Sequence, residues 1–217
     1  MTQRERNGMV NDPGVHIRVH RIPFSTNVER VALACAYKRI AVEWVDHDPA
    51  DRSAIQKLSG QSLVPVAEVN GSVLSDSPLI LRELERLVPD PPLWPADPAR
   101  RAELDTFVDW FNRVWKVAPN RLADEPHAEA SLRSAWAAEL RGSRDRFEAI
   151  LDGRDFLFGD ALSAADVVAF PFLKYATLIA PGDEDPFHLV LADHLALDGS
   201  YPRLRDWIAR CDRLPRA

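Results

Sequence analysis

Residues Leu63 to Leu79 read LVPVAEVNGSVLSDSPL. Val64-Pro65 opens a short strand with a proline at its first position. Asn70-Gly71 is the strongest two-residue hairpin signal, because both central residues of a type I′ turn need positive φ. Ser77-Pro78 starts a helix, with Ser77 as N-cap and Pro78 at the first helical position. The predicted order is strand, tight hairpin, strand, helix, the helix running to Leu87. The proline end of the hairpin and the N-terminus of the helix can both face one ligand.

Working back from this stretch, Val15-His16-Ile17-Arg18-Val19 alternates apolar and polar, the pattern of a half-buried strand. Ile22-Pro23-Phe24-Ser25 breaks it. Thr26-Asn27-Val28-Glu29 has the spacing of a capping box, with Thr26 as N-cap. The helix it starts carries Val28, Val31, Ala32, Cys35 and Ala36 on one face and ends near Arg39. A second strand is predicted over Ala41–Val45, giving a βαβ unit with a right-handed crossover. A short helix fits Asp48–Leu58. Residues 1–13 read as a disordered tail without the apolar core of a signal peptide. The first domain is thus residues 14–88, β-α-β-α-β-β-α, and residues 89–99 are a proline-dense linker that can be neither helix nor ladder.

Beyond the linker, residues 100–217 show helical periodicity only. Arg100–Leu122 carries a stripe of Leu104, Phe107, Val108, Phe111, Val114 and Ala118, flanked by Trp110 and Trp115. His127–Leu151 is anchored by Leu132, Trp136, Leu140, Phe147 and Leu151. Ser163 and Asp166 form a second capping box, with Leu162 stapled onto Val167, before an almost wholly apolar helix reaching Leu178. Shorter helices fit Phe187–Leu195 and Tyr201–Arg213. His188 and His194 read as surface residues.

The chain has 217 residues and a net charge of −6. That balance disfavours nucleic acid and anionic membranes as main partners. No apolar run is long enough to span a bilayer. Two cysteines are too few for a disulfide framework, which points to a cytoplasmic setting. The histidines show no metal-ligand spacing, and there is no GxGxxG, P-loop or GxSxG, so no metal is expected. Cys35 lies on an apolar helix face and reads as packed. Lysine occurs only at 38, 57, 116 and 174; the arginine bias suits a GC-rich genome.

Pro23-Phe24-Ser25, Leu63-Val64-Pro65-Val66, Asp76-Ser77 and Ser163-Ala164-Ala165-Asp166 fall in an order that resembles the soluble glutathione transferases, closest to a bacterial, serine-type branch. The resemblance implies an α/β thioredoxin-like first domain with a mixed four-stranded sheet, an all-α second domain, a homodimer, and glutathione as co-substrate. Carried over by residue, Ser25 is the catalytic hydroxyl that donates to the glutathione sulfur. Val64 pairs its backbone with the cysteinyl part, ahead of a cis-Pro65. Asp76 and Ser77 hold the γ-glutamyl end. Phe24, Thr26, Asn27 and Leu63 complete the thiol site. Two departures stand out: Leu63 replaces a polar contact common in related enzymes, and Pro78 removes one backbone N–H.

The chemistry can be weighed without the family. A free thiol has a pKa of roughly 8.5, and lowering it by about two units needs on the order of 2.7 kcal/mol. A hydrogen bond to a charged group supplies roughly 1.5–3 kcal/mol, and a helix N-terminus about 0.3–1 kcal/mol more. One hydroxyl at the start of the first helix therefore suffices. Plain N-capping competes with catalysis for Ser25, and Asn27 is a rival donor. Ser77 can serve as a helix start alone or can meet a carboxylate there. Pro65 alone favours trans; only the resemblance favours cis. Phe111 and Trp115 are candidates for the wall of a second-substrate pocket, against a plain core role. The reading is a transferase that conjugates glutathione to a small hydrophobic electrophile. A glutathione-dependent isomerase or dehalogenase, or a non-catalytic thiol-binding scaffold of the same fold, are the alternatives.

Overall fold

The computed structural model describes residues 15–217; the tail predicted over residues 1–13 lies outside them. The chain divides into two compact units. One comprises the residues as far as Leu93 together with Leu214–Ala217, and the other is Trp94–Arg213. The last four residues thus belong with the first unit, not with the helical one.

The first unit holds β1 (Ile17–Arg21), α1 (Thr26–Tyr37), β2 (Glu43–Asp46), α2 (Ser53–Ser59), β3 (Val66–Val69), β4 (Ser72–Ser75) and α3 (Ser77–Leu87). Its mixed sheet has the order β2-β1-β3-β4. β1 runs parallel to β2 and antiparallel to β3, and β3 pairs antiparallel with β4. The hairpin turn is where the sequence places it, with Asn70 and Gly71 at φ 48° and 83°. The Asn70 side chain also accepts from the His16 N–H at 3.0 Å, which fixes the entry to β1. Ile17 and Val19 point into the core, whereas Arg18 and His20 lie on the partly open face. There His20 meets His47 at 2.8 Å and Glu68 at 3.1 Å, linking β1 to β3 and to the loop after β2.

Two helices of this unit are joined by buried charge. The Lys38 ammonium, with no exposed side-chain surface, lies 2.6 Å from Glu85. It also donates to the carbonyls of Val88 and Pro91 at 2.6 and 2.9 Å. Its three protons have three acceptors. Glu85 in turn accepts from the Leu93 N–H at 3.0 Å, so the proline-rich segment is tied down by one ion pair. Cys35 is fully buried beside this network, and burial pushes its thiol up to about 12.

The second unit holds α4 (Pro98–Trp110), α5 (Val117–Asp124), α6 (Ala130–Ile150), α7 (Ala164–Leu173), α8 (Pro186–Leu195) and α9 (Pro202–Asp212). The single helix predicted over Arg100–Leu122 is interrupted by a wide turn at Phe111–Trp115, closed by a bond from Lys116 N–H to Phe111 C=O at 3.2 Å. Pro119 accounts for it: the ring lacks an N–H and crowds the carbonyl four residues back, at Trp115. The extra residue rotates Val114 out of the predicted stripe, leaving it 57% exposed. Leu132 is likewise exposed, because α6 begins only two residues before it.

α7 is buried on all sides and starts at the predicted capping box. Fully buried Asp166 accepts from the N–H groups of Ser163 and Leu157, the Ser163 hydroxyl and the Trp207 indole at 2.7–2.9 Å. Burial still holds its carboxyl above the ordinary range. The surface reading of His188 is corrected. It is buried, stacked on Tyr175 at 4.5 Å, with Nδ1 2.8 Å from Asp183, which also accepts from the Tyr175 hydroxyl at 2.7 Å. His194 is only partly buried.

Removing one partner of a buried ion pair costs about 3–5 kcal/mol, whereas replacing both with apolar groups is often near neutral. Lys38→Met should therefore lower stability by about 3–5 kcal/mol in urea unfolding, and Lys38→Met with Glu85→Leu should recover most of it. Asp166→Ala, which orphans four donors, should lower stability by at least about 3 kcal/mol in the same assay.

Candidate functional site

The loop from β1 to α1 turns at Phe24, which has φ 57° and is 46% exposed. A positive φ is uncommon for a bulky residue. It lets the chain enter α1 with Ser25 extended at φ −64°, ψ 115°. Ser25, not Thr26, is the N-cap: its Oγ accepts from the Val28 N–H at 3.4 Å, and its carbonyl takes the first helical bond from Glu29 at 3.0 Å. Thr26 is already inside the helix and buried. The predicted Thr26–Glu29 box does not form; Glu29 pairs instead with Arg216 at 2.8 Å. A serine that accepts through Oγ keeps its own hydrogen to donate. Capping and donation to an anion are therefore compatible at Ser25.

The second wall is Leu63–Val66. The Val64–Pro65 peptide is cis. Val64 and Pro65 are buried and Leu63 is 71% exposed. Val64 lies just before the β3 ladder, which begins at Val66. Val28 of α1, Ile55 of α2, Val64 and Val66 form one buried apolar cluster, with Ile22, Trp44 and Leu58 packed against it. This cluster holds the mouth of α1 against the loop before β3, so Ser25 and Val64 belong to one corner of the unit.

The third wall is the start of α3. Its N-cap is Asp76, not Ser77, which corrects the predicted start by one residue. Asp76 is exposed, with φ 81° and ψ 120°, and its side chain does not cap the helix. Non-glycine residues held in such regions store strain of order 1–3 kcal/mol and cluster at functional sites. Ser77 is the first helical residue and is 1% exposed. Its hydroxyl lies 3.4 Å from Asn27 Oδ1 and accepts from Arg30 Nη1 at 3.1 Å. Asn27, on the first turn of α1, thus meets the start of α3.

Arg30 is the residue that sequence reasoning missed. It is fully buried; burial pushes its guanidinium down to about 9, and the nearby Asp76 charge opposes that. At neutral pH it remains a cation. Next to Glu29 it reads as part of a solvated charged pair. No local signal marks it as buried, because Glu29 beside it is partly exposed and pairs with Arg216.

Phe111 and Trp115, expected to wall a pocket, stack on each other at 4.4 Å inside an aromatic core with Phe107, Phe147 and Phe172. They are 0% and 5% exposed, so Phe111 presents no surface to a ligand. The two wider-turn positions that put them in register explain this: they are four residues apart and share the inner face of the turn. Among the described residues, no group of three or more His, Cys, Asp or Glu is placed to hold a metal ion, and no helix is long and apolar enough to cross a membrane.

Comparisons with known proteins identify the family of both units. Residues 19–92 match the family model for the glutathione S-transferase N-terminal domain, and residues 98–210 that for its C-terminal domain. FtsZ-localized protein A of Caulobacter vibrioides is 27% identical over 171 residues, 72% of this chain and 75% of that protein. Probable maleylacetoacetate isomerase 1 of Drosophila melanogaster is 28% identical over 162 residues, 68% of this chain and 63% of that one. A solved maleylacetoacetate isomerase from Anaeromyxobacter dehalogenans with glutathione in its active site superposes with a TM-score of 0.67 at 25% identity, covering 93% of this chain and 92% of that chain. The chain belongs to the glutathione S-transferase family.

Proposed function

We propose that the protein binds glutathione in the corner formed by Ser25, Val64, cis-Pro65 and Asp76, ionises its thiol, and adds the thiolate to a small hydrophobic electrophile. Ser25 donates to the sulfur while Oγ caps α1. Phe24, Thr26, Asn27 and Leu63 surround it. Val64 offers its backbone to the cysteinyl part, and Asp76 meets the ammonium of the γ-glutamyl end. Ser77 acts from beneath. In this reading the protein is a cytoplasmic homodimer.

The observation that carries this reading is the placement of Ser25. It is the hydroxyl at the N-terminus of α1, the bond it accepts from the Val28 N–H is a long 3.4 Å, and accepting leaves its hydrogen free to donate. With about 1.5–3 kcal/mol from that bond and about 0.3–1 kcal/mol from the helix end, a bound thiol can reach a pKa near neutrality. A glutathione-dependent isomerase uses the same thiolate without net conjugation. The relatives named maleylacetoacetate isomerase favour it as the second reading.

Titration of thiolate absorbance for bound glutathione tests the reading. The wild-type thiol should titrate about two units below roughly 8.5. Ser25→Ala should return it toward that value and lower kcat/KM about 10- to 100-fold. An unshifted wild-type thiol would instead indicate a binding protein. A shift that survives Ser25→Ala would move the role to Thr26 or Asn27. Product analysis with aryl halides and with a cis-alkene diacid separates conjugation from isomerisation.

A further inference from the structure

Leu214–Ala217 belong to the first unit and lie along α1. The Ala217 N–H donates to the Ala32 carbonyl of α1 at 3.1 Å. The Ala217 carbonyl accepts from the Trp44 indole of β2 at 3.1 Å. Arg216 donates to one oxygen of Glu29 from Nε at 3.2 Å and from Nη2 at 2.8 Å. Its Nη1 donates to the Leu214 carbonyl at 2.6 Å, which fixes the direction of the guanidinium. The pair is partly buried, with 27% of the arginine side chain and 15% of the glutamate side chain exposed. Charges so placed are screened less than those of an open surface pair.

Glu29 stands in the first turn of α1, one turn beneath Ser25, and its N–H donates to the Ser25 carbonyl at 3.0 Å. Residues four apart share one side of a helix, and side chains lean toward the helix N-terminus. An anion in the first turn favours the helix itself. It also opposes any second anion bound at the same end, because like charges disfavour each other's ionised form. Two further pairs border this corner. Arg30 faces Asp76, and Arg21, over the Trp44 ring, holds Asp46. Both stay intact when Glu29 or Arg216 is changed, so they drop out of a comparison between variants.

We propose that Arg216 is a positioning residue for the thiol chemistry: by neutralising Glu29 one turn below Ser25, it leaves the N-terminus of α1 free to stabilise the ligand's thiolate. This rests on a thiol being ionised at Ser25. Arg216 acts through Glu29 and not by contact with the ligand. Reactivity is thereby coupled to the docking of Leu214–Ala217 on α1, since lifting that segment would set an uncompensated carboxylate against the sulfur. A tie of purely structural value would give the same effect whichever partner is removed. A charge effect changes sign between them.

The experiment titrates the thiolate absorbance of bound glutathione in the full chain, for wild type, Arg216→Gln, Glu29→Gln and the double variant. Arg216→Gln leaves an uncompensated anion and should raise the thiol's titration midpoint by about half a pH unit, about a threefold drop in acid constant. Glu29→Gln leaves an uncompensated cation and should lower the midpoint by about as much. The double variant loses every bond of the pair but leaves no charge over, and should titrate within about 0.2 pH units of wild type. Opposite signs in the two single variants support the assignment. Shifts of one sign, no shift in Arg216→Gln, or a double variant displaced as far as either single overturns it. If Arg216→Gln does not fold by circular dichroism, Glu29→Gln decides: a lower midpoint supports the assignment, and an unchanged or higher one overturns it. A wild type that binds no glutathione, or whose bound thiol titrates near roughly 8.5, overturns thiol activation at Ser25 and this assignment with it. A depressed wild-type thiol that Arg216→Gln leaves in place overturns this assignment alone.

Discussion

Two cations carried inward by α1 organise the first unit. Arg30 reaches Ser77 at the start of α3, and Lys38 reaches Glu85 and the Val88 carbonyl at its end. Both pairs are 47 residues apart in sequence. The two bonds are therefore rungs between helices that run side by side in the same direction, two turns apart. An unpaired buried cation is too costly to tolerate. The register of α1 on α3 is consequently fixed far more sharply than apolar packing alone would fix it. The mouth of α1, with Ser25, and the start of α3, with Asp76, are then held at one level at the same end of the unit.

Much of this architecture can be read from the chain. Asn70-Gly71 specifies its turn because positive φ is encoded by residue type. Ser163 and Asp166 specify a helix start because both halves of the box are visible in four residues. What failed was decided by neighbours. At 25–26 and 76–77 the sequence offers two adjacent polar residues, and the choice of cap depends on which backbone is extended. Phe24 and Asp76 set that through positive φ, which neither residue type announces. His188 reads as surface because its partners Asp183 and Tyr175 reach it from a loop and a preceding turn. The break in the first long helix was encoded in Pro119, but its effect falls four residues earlier, at Trp115.

The candidate site shows the same division. Ser25, Val64, Pro65 and Asp76 were picked out by the resemblance rather than by any one local motif, and in the first unit the apolar cluster of Val28 and Val64 and the Asn27–Ser77 contact bring their segments together. Arg30 was not, because a charged residue beside Glu29 carries no local mark of burial. Phe111 and Trp115 were picked for their size. Size marks core as readily as pocket, and the wide turn directs both rings inward.

Asp76 leaves the protein little freedom of residue choice. Glycine would enter the φ 81° conformation without strain, but it would remove the anion that compensates Arg30. Glutamate would keep the charge and gain length, on a backbone that disfavours any Cβ. Aspartate satisfies the electrostatics at the expense of conformational ease. Glycine at this position would therefore trade relief of backbone strain against a buried guanidinium left without its compensating charge.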